Sequence, residues 1–335
     1  MNRPTFSRIV ARRLLSAAVW LLLWTGALPM PARSAAPTAP ARPAGESATA
    51  ELTFFVVSDT HYGQSPRGDE TIPLLVEKMN QLPGTAYPDK IGGKVGVPKG
   101  VLHVGDVTND GKERSWKMFV RDYGLTGKEG KLKYPVYETF GNHDGGPKSV
   151  VRTAIQERNR GRVGLTALSD NGLFCSWDWG GIHFVCLGVS PGTTIRPYDP
   201  EYSIDFAKAD LAKRVGRSGR PVILLHHFGF DRGHSLRWWS EEWRTAYYDV
   251  IKDYNVAGII HGHAHEPLIY QWNGLDIYHP PHFRQKDPKQ NDPVTHGFFV
   301  FRVRGDTLTV VERKLDDTWG MTARKVLKPA AAAAE

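Results

Sequence analysis

The sequence predicts an α/β protein in which one sheet is covered by helices and a second sheet is completed by hairpins. Short apolar runs alternate with segments whose apolar residues recur at helical spacing. Toward the carboxyl end, alternating runs near residues 268–272, 275–278, 298–303 and 307–311 predict short strands. Strand-helix alternation followed by hairpins is typical of layered sheets with helices outside.

The covered sheet follows from the alternation along residues 52–260. Apolar runs predict strands at residues 52–57, 101–104, 136–140, 222–225 and 257–260. Helical spacing predicts helices near residues 72–82, 116–123, 150–159, 204–215 and 243–254. Gly124 is typical of a helix end, and Ser240 followed by two glutamates is typical of a helix start.

A further hairpin is predicted to turn at Gly180 and Gly181, which sets Cys175 opposite Cys186. An oxidising compartment permits a disulfide between such residues. The pair nevertheless falls at a hydrogen-bonded position, where the Cα atoms are farther apart than at the neighbouring positions. We therefore expect two buried thiols in preference to a bridge.

The chain ends are predicted to lie outside the folded domain, which we place at residues 51–328. Residues 1–36 combine an arginine-rich start, an apolar stretch and small residues suited to cleavage, the pattern of a secretory signal peptide. The apolar stretch is short for a membrane span. We expect a periplasmic or secreted protein with no stable span after cleavage, exported by the Sec route in preference to the twin-arginine route. Residues 37–50 predict a disordered Ala/Pro linker and residues 329–335 a low-complexity tail.

The distribution of charge argues against nucleic acid as a ligand. The formal net charge is +8, but residues 1–42 contain six arginines and no acidic residue. From residue 43 onward there are 37 basic and 35 acidic residues, with no Lys/Arg block. Because a phosphate backbone is bound by clustered cations, we expect a small-molecule partner and no nucleic acid.

Five short polar motifs follow strand-like runs in a fixed order. They are Asp59-Thr60-His61, GDVTN at residues 105–109, GNHD at 141–144, the pair His226-His227, and HGHAH at 261–265. Their Asp, Asn and His side chains suit borderline transition metals. Sites in α/β sheets form beyond the carboxyl ends of strands, where all five motifs are predicted to lie. The pattern predicts a two-metal hydrolase.

These motifs resemble those of the calcineurin-like metallophosphoesterases, whose pattern reads DxH, GDxx(D/N), GNH(D/E), a lone His and GHxH. The resemblance covers residues 52–312 and implies a four-layer α/β/β/α sandwich with two mixed sheets. It also implies two metal ions, which neutralise developing charge and lower the pKa of a shared water that attacks phosphorus. Their identity stays open among Mn, Fe, Zn and Co.

The resemblance further implies a ligand set. One ion would be held by Asp59, His61, Asp106 and His265, and the second by Asp106, Asn142, His226 and His263. Asp106 would bridge the two ions.

Two neighbouring residues would act without binding metal. His143 would stabilise the phosphoryl transition state or protonate the leaving oxygen. Asp144 would orient His143. Asn109 is expected to support the Asp106 loop through hydrogen bonds of its side chain.

The adjacent histidines leave an alternative open. At most one of His226 and His227 faces the metal ions, because strand residues alternate between faces. The resemblance favours His226, and the position of the strand end does not decide between them. His261 is expected beside the site, while His103 and His183 are expected to be ordinary core or surface residues.

Candidates for substrate binding follow the histidine pair. Arg232 and Arg237 are suited to clamping a phosphate, and Trp238 to stacking on a ring. Trp239 and Arg284 are further candidates. The alternative is a surface loop that caps a helix and has no such role.

The expected function is metal-dependent hydrolysis of small phosphomonoesters or phosphodiesters by an exported enzyme. Ser/Thr protein phosphatases carry Arg-Gly where Asp110-Gly111 follow here, and purple acid phosphatases carry Tyr in place of Asn109, so neither branch fits. A metal-dependent nuclease is the first alternative. A non-catalytic metal-binding or ligand-binding protein on the same fold is the second, and missing ligands would be its sign.

Overall fold

The computed structural model describes residues 51–192, 202–230, 238–282 and 296–329. The predicted signal peptide, the linker and nearly all of the Ala tail lie outside the described residues, so those assignments stay predictions. Among the described residues, no helix has both the length and the apolar character needed to cross a bilayer.

The described elements alternate much as the sequence predicts. The strands are β1 Leu52–Val57, β2 Val101–Val104, β3 Val136–Thr139, β4 Leu165–Leu168, β5 Cys175–Trp179, β6 Ile182–Cys186, β7 Val222–Leu225, β8 Val256–Ile260, β9 Leu268–Trp272, β10 Leu275–His279, β11 Gly297–Arg304, β12 Thr307–Lys314 and β13 Trp319–Val326. The helices are α1 Pro66–Gln81, α2 Glu113–Tyr123, α3 Val150–Gly161, α4 Ser203–Arg214 and α5 Glu241–Ile251, with a 3-10 turn at Asn142–Asp144.

The strands form two mixed sheets. The first has six strands in the order β13-β12-β11-β1-β2-β3, with β1, β2 and β3 parallel. The second has seven strands in the order β4-β5-β6-β7-β8-β10-β9, with β6, β7 and β8 parallel. Because the parallel strands of each sheet end at one edge, the motifs that follow them gather there.

Alternation along β1 shows how the layers are built. Phe54 and Val56 pack into a core between the two sheets, where the Phe54 ring lies 5.3 Å from that of Phe184 on β6. Phe55 and Val57 point the other way, into the core beneath the helices. Both faces of the strand are therefore buried, and the predicted arrangement of two mixed sheets flanked by helices is confirmed.

The sequence pattern missed two strands, β4 and β13. Both lie at sheet edges and are only partly buried. β4 has four residues, too few for alternation to stand out. β13 breaks its alternation at Arg324 and Lys325, which are two polar residues in succession.

The β5–β6 hairpin has the predicted register, with Cys175 paired to Cys186 across Gly180 and Gly181. Both cysteines are buried free thiols. Burial and their mutual contact raise the pKa of Cys175, whereas hydrogen bonds from Cys175 and Thr139 lower that of Cys186.

His183, expected to be an ordinary core residue, joins this hairpin to α4 through two carboxylates. Its Nδ1 lies 2.7 Å from Asp178 and its Nε2 lies 2.6 Å from Asp210. Burial alone lowers the pKa of His183, but its hydrogen bonds to the two carboxylates outweigh burial and raise it. The doubly donating imidazolium therefore stabilises the contact between hairpin and helix.

His183→Gln should lower the free energy of unfolding by about 1–3 kcal/mol near pH 6, because it removes a charged, buried hydrogen-bonded group. A histidine whose folded-state pKa is raised stabilises fully below its ordinary pKa of 6.5, and the contribution is lost as pH rises through the raised value. Urea unfolding of both proteins near pH 6 and pH 9 measures this. A difference that stays constant over that range would contradict the role of the imidazolium.

Candidate metal centre

Two sets of side chains converge where the parallel strands of both sheets end. The first is Asp59, His61, Asp106 and His265, whose ligand atoms all lie within 4.8 Å of one another. In it, His61 Nε2 lies 3.2 Å from His265 Nε2 and 3.6 Å from Asp106 Oδ2. Asp59 Oδ1 lies 3.2 Å from His265 Nε2. The structure brings together all four residues predicted for the first ion.

The second set shares one residue with the first. Asp106, His227 and His263 also place their ligand atoms within 4.8 Å of one another. Asp106 Oδ2 is 3.6 Å from His61 and 3.3 Å from His227, so this oxygen lies between the two sets. Asp106 is therefore common to both sets, and its bridging role stays a prediction.

His227, and not His226, faces this centre, so the preference for His226 is wrong. His227 Nδ1–H donates to the Val104 carbonyl at 2.9 Å, which leaves Nε2 directed at Asp106. His226 Nδ1–H donates to Phe228 O, and its ring lies 5.1 Å from that of Trp239, under α5. Ile223 and Leu225 of β7 face the core between the sheets, and alternation puts His227 on the same side. That parity was the available sequence signal.

Asn142 belongs to the same centre by its orphaned oxygen. Asn142 Oδ1, Asp106 Oδ2 and His227 Nε2 are among the buried atoms that have no hydrogen-bond partner in the described part of the chain. His143, the neighbour of Asn142, donates its N–H to Asp106 Oδ1 at 2.8 Å, so Asn142 lies beside the shared carboxylate. Burying such groups without partners is costly. Two carboxylates, an amide oxygen and several imidazole nitrogens form the donor set of a borderline divalent metal, so the residues present fit the predicted ions.

The backbone at these positions is unusual. Asp59, His61, Asp106, His263 and His265 all have positive φ, between 48° and 76°. Side chains other than glycine rarely adopt this left-handed region, and it recurs at functional sites. The turns after the strands therefore hold the candidate ligands in an unusual backbone conformation, with their ligand atoms close together.

Ionisation follows from burial and from the neighbouring charges. Burial disfavours the charged form of Asp106, but the nearby His227 and His61 outweigh it and lower the pKa of the carboxyl. Burial likewise opposes protonation of His227, yet Asp106 raises its pKa to about 9. Burial, reinforced by His227, lowers the pKa of His263 to about 3. The centre is thus built around ionised carboxylates.

Asp144 does not orient His143, which corrects the predicted role. Its carboxylate accepts hydrogen bonds from the backbone N–H groups of Val107, Thr108 and Gly141 at 3.1, 2.7 and 2.8 Å. It therefore ties the loop of Asp106 to the turn that carries Asn142. Burial and the nearby Asp106 raise the pKa of Asp144 to about 7.

His143 is oriented by the backbone instead. Its Nδ1–H donates to the Asn109 carbonyl at 3.0 Å, while its own N–H donates to Asp106 Oδ1 at 2.8 Å. Its ring meets that of His61 edge-on, with centroids 4.7 Å apart. Asn109 contributes these contacts with its backbone, since its N–H also donates to Tyr62 O at 2.9 Å. These two backbone hydrogen bonds of Asn109 take the place of the side-chain hydrogen bonds that were expected to support the Asp106 loop.

His103 is a contributor that the sequence did not mark. Its Nε2 lies 2.9 Å from Thr60 Oγ1, and the same hydroxyl donates to Val107 O at 2.9 Å. The hydroxyl can then only accept from His103, which fixes the tautomer with the proton on Nε2. Burial lowers the pKa of His103 to about 4. Thr60 sits between Asp59 and His61, so His103 anchors the turn that carries both.

Two further histidines, His282 and His261, lie next to the centre without belonging to either ligand set. The His282 ring stacks on that of His265 with centroids 5.2 Å apart. His261, as expected, lies behind the site, where its Nε2 lies 2.7 Å from the Tyr270 hydroxyl. His282 had no motif to identify it, because its contact depends on how the terminal hairpin folds back.

The substrate candidates are only partly described. Arg232, Arg237 and Arg284 lie outside the described residues. Trp238 is exposed, whereas Trp239 is fully buried and donates its indole N–H to Pro191 O at 2.8 Å. Trp239 is therefore a structural residue.

The fold and this centre are those of the metallophosphoesterase superfamily. The family description "Calcineurin-like phosphoesterase" matches residues 52–267, and the chain belongs to that family. No curated protein matches it.

Solved structures resemble this chain at low sequence identity. GAP50, the anchor in the inner membrane complex of Plasmodium, is 13% identical with a TM-score of 0.57, over 84% of this chain and 90% of that chain. Vps29 of Entamoeba histolytica, solved with zinc, is 13% identical with a TM-score of 0.39, over 82% and 99% of the two chains. PhoD is 11% identical with a TM-score of 0.46, over 82% and 68%. Of these three, the likeness to GAP50 bears on the fold, and on the fold alone.

Replacing each adjacent histidine by phenylalanine separates their roles. His227→Phe removes a nitrogen 3.3 Å from Asp106 and should reduce the bound metal from two ions per chain to about one. His226→Phe exchanges one ring for another among Trp239 and Tyr247 and should keep both ions. Elemental analysis after dialysis measures this, and equal metal loss in both variants would refute the assignment of His227.

Thr60→Val should weaken metal binding by about 10- to 100-fold, because it releases the turn of Asp59 and His61 from His103 and Val107. Thr53→Val is the matched control, since Thr53 is buried on β1 and its hydroxyl has no hydrogen-bond partner in the described ranges. Metal affinity is measured by competition with a chelator. Equal affinities in the two variants would show that the hydroxyl does not position the ligands.

Proposed function

We propose that this protein is an exported, dinuclear-metal-dependent phosphoesterase that hydrolyses small phosphomonoesters or phosphodiesters. The observation that carries the proposal is the position of Asp106, whose Oδ2 is shared by two converging ligand sets. Family membership supports a hydrolase. Export rests on the sequence of residues 1–36.

The residues of the centre would have different roles in phosphate-ester hydrolysis. Asp59, His61, Asp106 and His265 would hold one ion, and Asp106, Asn142, His227 and His263 the second. When bound, such a pair of ions neutralises charge on the phosphoryl oxygens and makes water a stronger nucleophile. Everything else in the reaction depends on how the protein positions the ester and moves a proton.

His143 is the residue placed for proton transfer. Its Nδ1–H is committed to the Asn109 carbonyl, so Nε2 is the nitrogen available to the substrate. The side chain is only partly buried and adjoins His61 at the mouth of the centre. A protonated Nε2 would stabilise negative charge on the phosphoryl group and donate its proton to the leaving oxygen.

Substitution of Asp106 and His143 should separate metal binding from turnover. Asp106→Ala should abolish both, because both ligand sets lose their shared carboxylate. His143→Ala should keep both ions and lower kcat by about 10²- to 10⁴-fold, the usual contribution of a positioned acid. Metal content and initial rates are measured on the same Mn²⁺-loaded preparations. Full activity of His143→Ala would refute its role.

The choice between monoester and diester is made with two chromogenic substrates. Initial rates on bis(p-nitrophenyl) phosphate and p-nitrophenyl phosphate are compared for the Mn²⁺-loaded wild type, with Asp106→Ala as the blank. A faster diester reaction would make the protein a phosphodiesterase, and a faster monoester reaction a phosphatase. Activity on neither, with metal bound, would contradict the proposed function.

A further inference from the structure

Two exposed aromatic side chains remain without a role in the metal centre. Tyr202 is 49% exposed and Trp238 is 46% exposed, and they are the exposed Phe, Tyr or Trp side chains among the described residues. Large aromatic side chains usually bury most of their surface, and exposed ones are enriched where a protein binds a partner or ligand. Their position in the fold indicates whether they bind a partner or a ligand.

Both residues stand at the edge of the molecule that carries the centre. The strands β6, β7 and β8 are parallel, so the helices that connect them start where the strands end. Tyr202 immediately precedes α4, and Trp238 precedes Ser240, the residue that caps α5. The two helices pack side by side, and packed helix axes are about 8–10 Å apart. The two aromatic residues therefore begin neighbouring helices on the same side.

Hydrogen bonds connect the neighbours of both residues to the segment that positions His227. Ser203, next to Tyr202, donates its hydroxyl to Ser190 O at 3.0 Å. Trp239, next to Trp238, donates its indole N–H to Pro191 O at 2.8 Å. The same segment accepts the His227 N–H at Val189 O, at 3.1 Å. The two aromatic residues and this ligand are thus tied to one short stretch of chain, residues 189–191.

The backbone conformation of Tyr202 is a second sign of a binding role. Its φ is 64°, in the left-handed region that a bulky side chain rarely adopts. Ser203 is fully buried, so the turn is held by its surroundings while the Tyr202 side chain stays exposed. Residues held in this region cluster at active sites and ligand clamps.

We propose that Tyr202 and Trp238 form a subsite for a flat aromatic group, a nucleobase or an aryl ring, on the phosphate ester whose phosphoryl group binds at the metal centre. This inference rests on the proposed function and names its substrate class. Aromatic side chains bind bases by stacking, with little preference among them, because every base has a π-face. The subsite therefore selects for a planar ring and discriminates weakly between bases.

The test compares AMP with ribose 5-phosphate. Both release a primary alkoxide at the 5-position of ribose and they differ by the base, so their intrinsic reactivities are similar. We expect the Mn²⁺-loaded wild type to have a higher kcat/KM on AMP. Tyr202→Ala and Trp238→Ala should each lower the ratio of the two kcat/KM values about tenfold, mainly through KM, and leave ribose 5-phosphate unchanged.

Controls separate stacking from a general loss of structure. Trp238→Phe keeps a ring and should retain most of the preference for AMP over ribose 5-phosphate. Val326→Ala removes an exposed apolar side chain from β13 and should leave that preference unchanged. A wild-type ratio near one, or an unchanged ratio in both alanine variants, would overturn the subsite and leave the phosphoesterase intact.

A binding measurement keeps the subsite testable if no substrate is turned over. Calorimetric titration of metal-loaded protein with AMP and with ribose 5-phosphate should give tighter binding of AMP, and the difference should vanish in Trp238→Ala. Absence of hydrolysis of both esters and of both chromogenic substrates would overturn the proposed function. Equal binding of the two compounds would overturn the subsite separately.

Discussion

The structure is organised around a buried cluster of carboxylates and imidazoles whose polar atoms converge on one small volume. His61 Nε2 and His265 Nε2 are 3.2 Å apart, and two carboxylates lie within 4 Å of His61. Five residues of this cluster also have left-handed backbone, each costing of order 1–3 kcal/mol. That sum is comparable with the net stability of an ordinary domain, about 5–15 kcal/mol. The surrounding fold must therefore hold the cluster from several sides at once.

The main support is a backbone ladder that continues past the ends of β1 and β2. The N–H groups of Asp59, His61 and Tyr62 donate to Gly105, Asp106 and Val107 at 3.0, 3.1 and 3.1 Å. Close packing around two glycines adds to this support. A Cβ on Gly141 would lie 2.2 Å from Asp106 Oδ1, and one on Gly262 would lie 2.1 Å from Ser58 Oγ. The ligand loops are thus fixed by main-chain contacts that any change in these glycines would disturb.

Motifs predicted most of this centre, because the candidate metal ligands stand directly after strands whose apolar runs are easy to recognise. The sequence failed where a role depends on which way a side chain turns. His226 and His227 differ only in the face of β7 that they occupy. Asp144 and His143 are adjacent, yet each bonds to the loop of Asp106 and not to the other. The support of Thr60 by His103 joins residues 43 positions apart, which no local pattern records.

The two sheets contribute unequally but jointly to both ligand sets. Asp59, His61, Asp106 and Asn142 follow strands of the first sheet, whereas His227, His263 and His265 follow strands of the second. Each set contains residues from both, since His265 completes the first and Asp106 completes the second. Neither sheet alone can therefore present either set, and the apolar core between the sheets is as much a determinant of the centre as the ligands. Ions bound there would in turn hold the sheets together, because metal binding that requires the assembled site adds its free energy to folding.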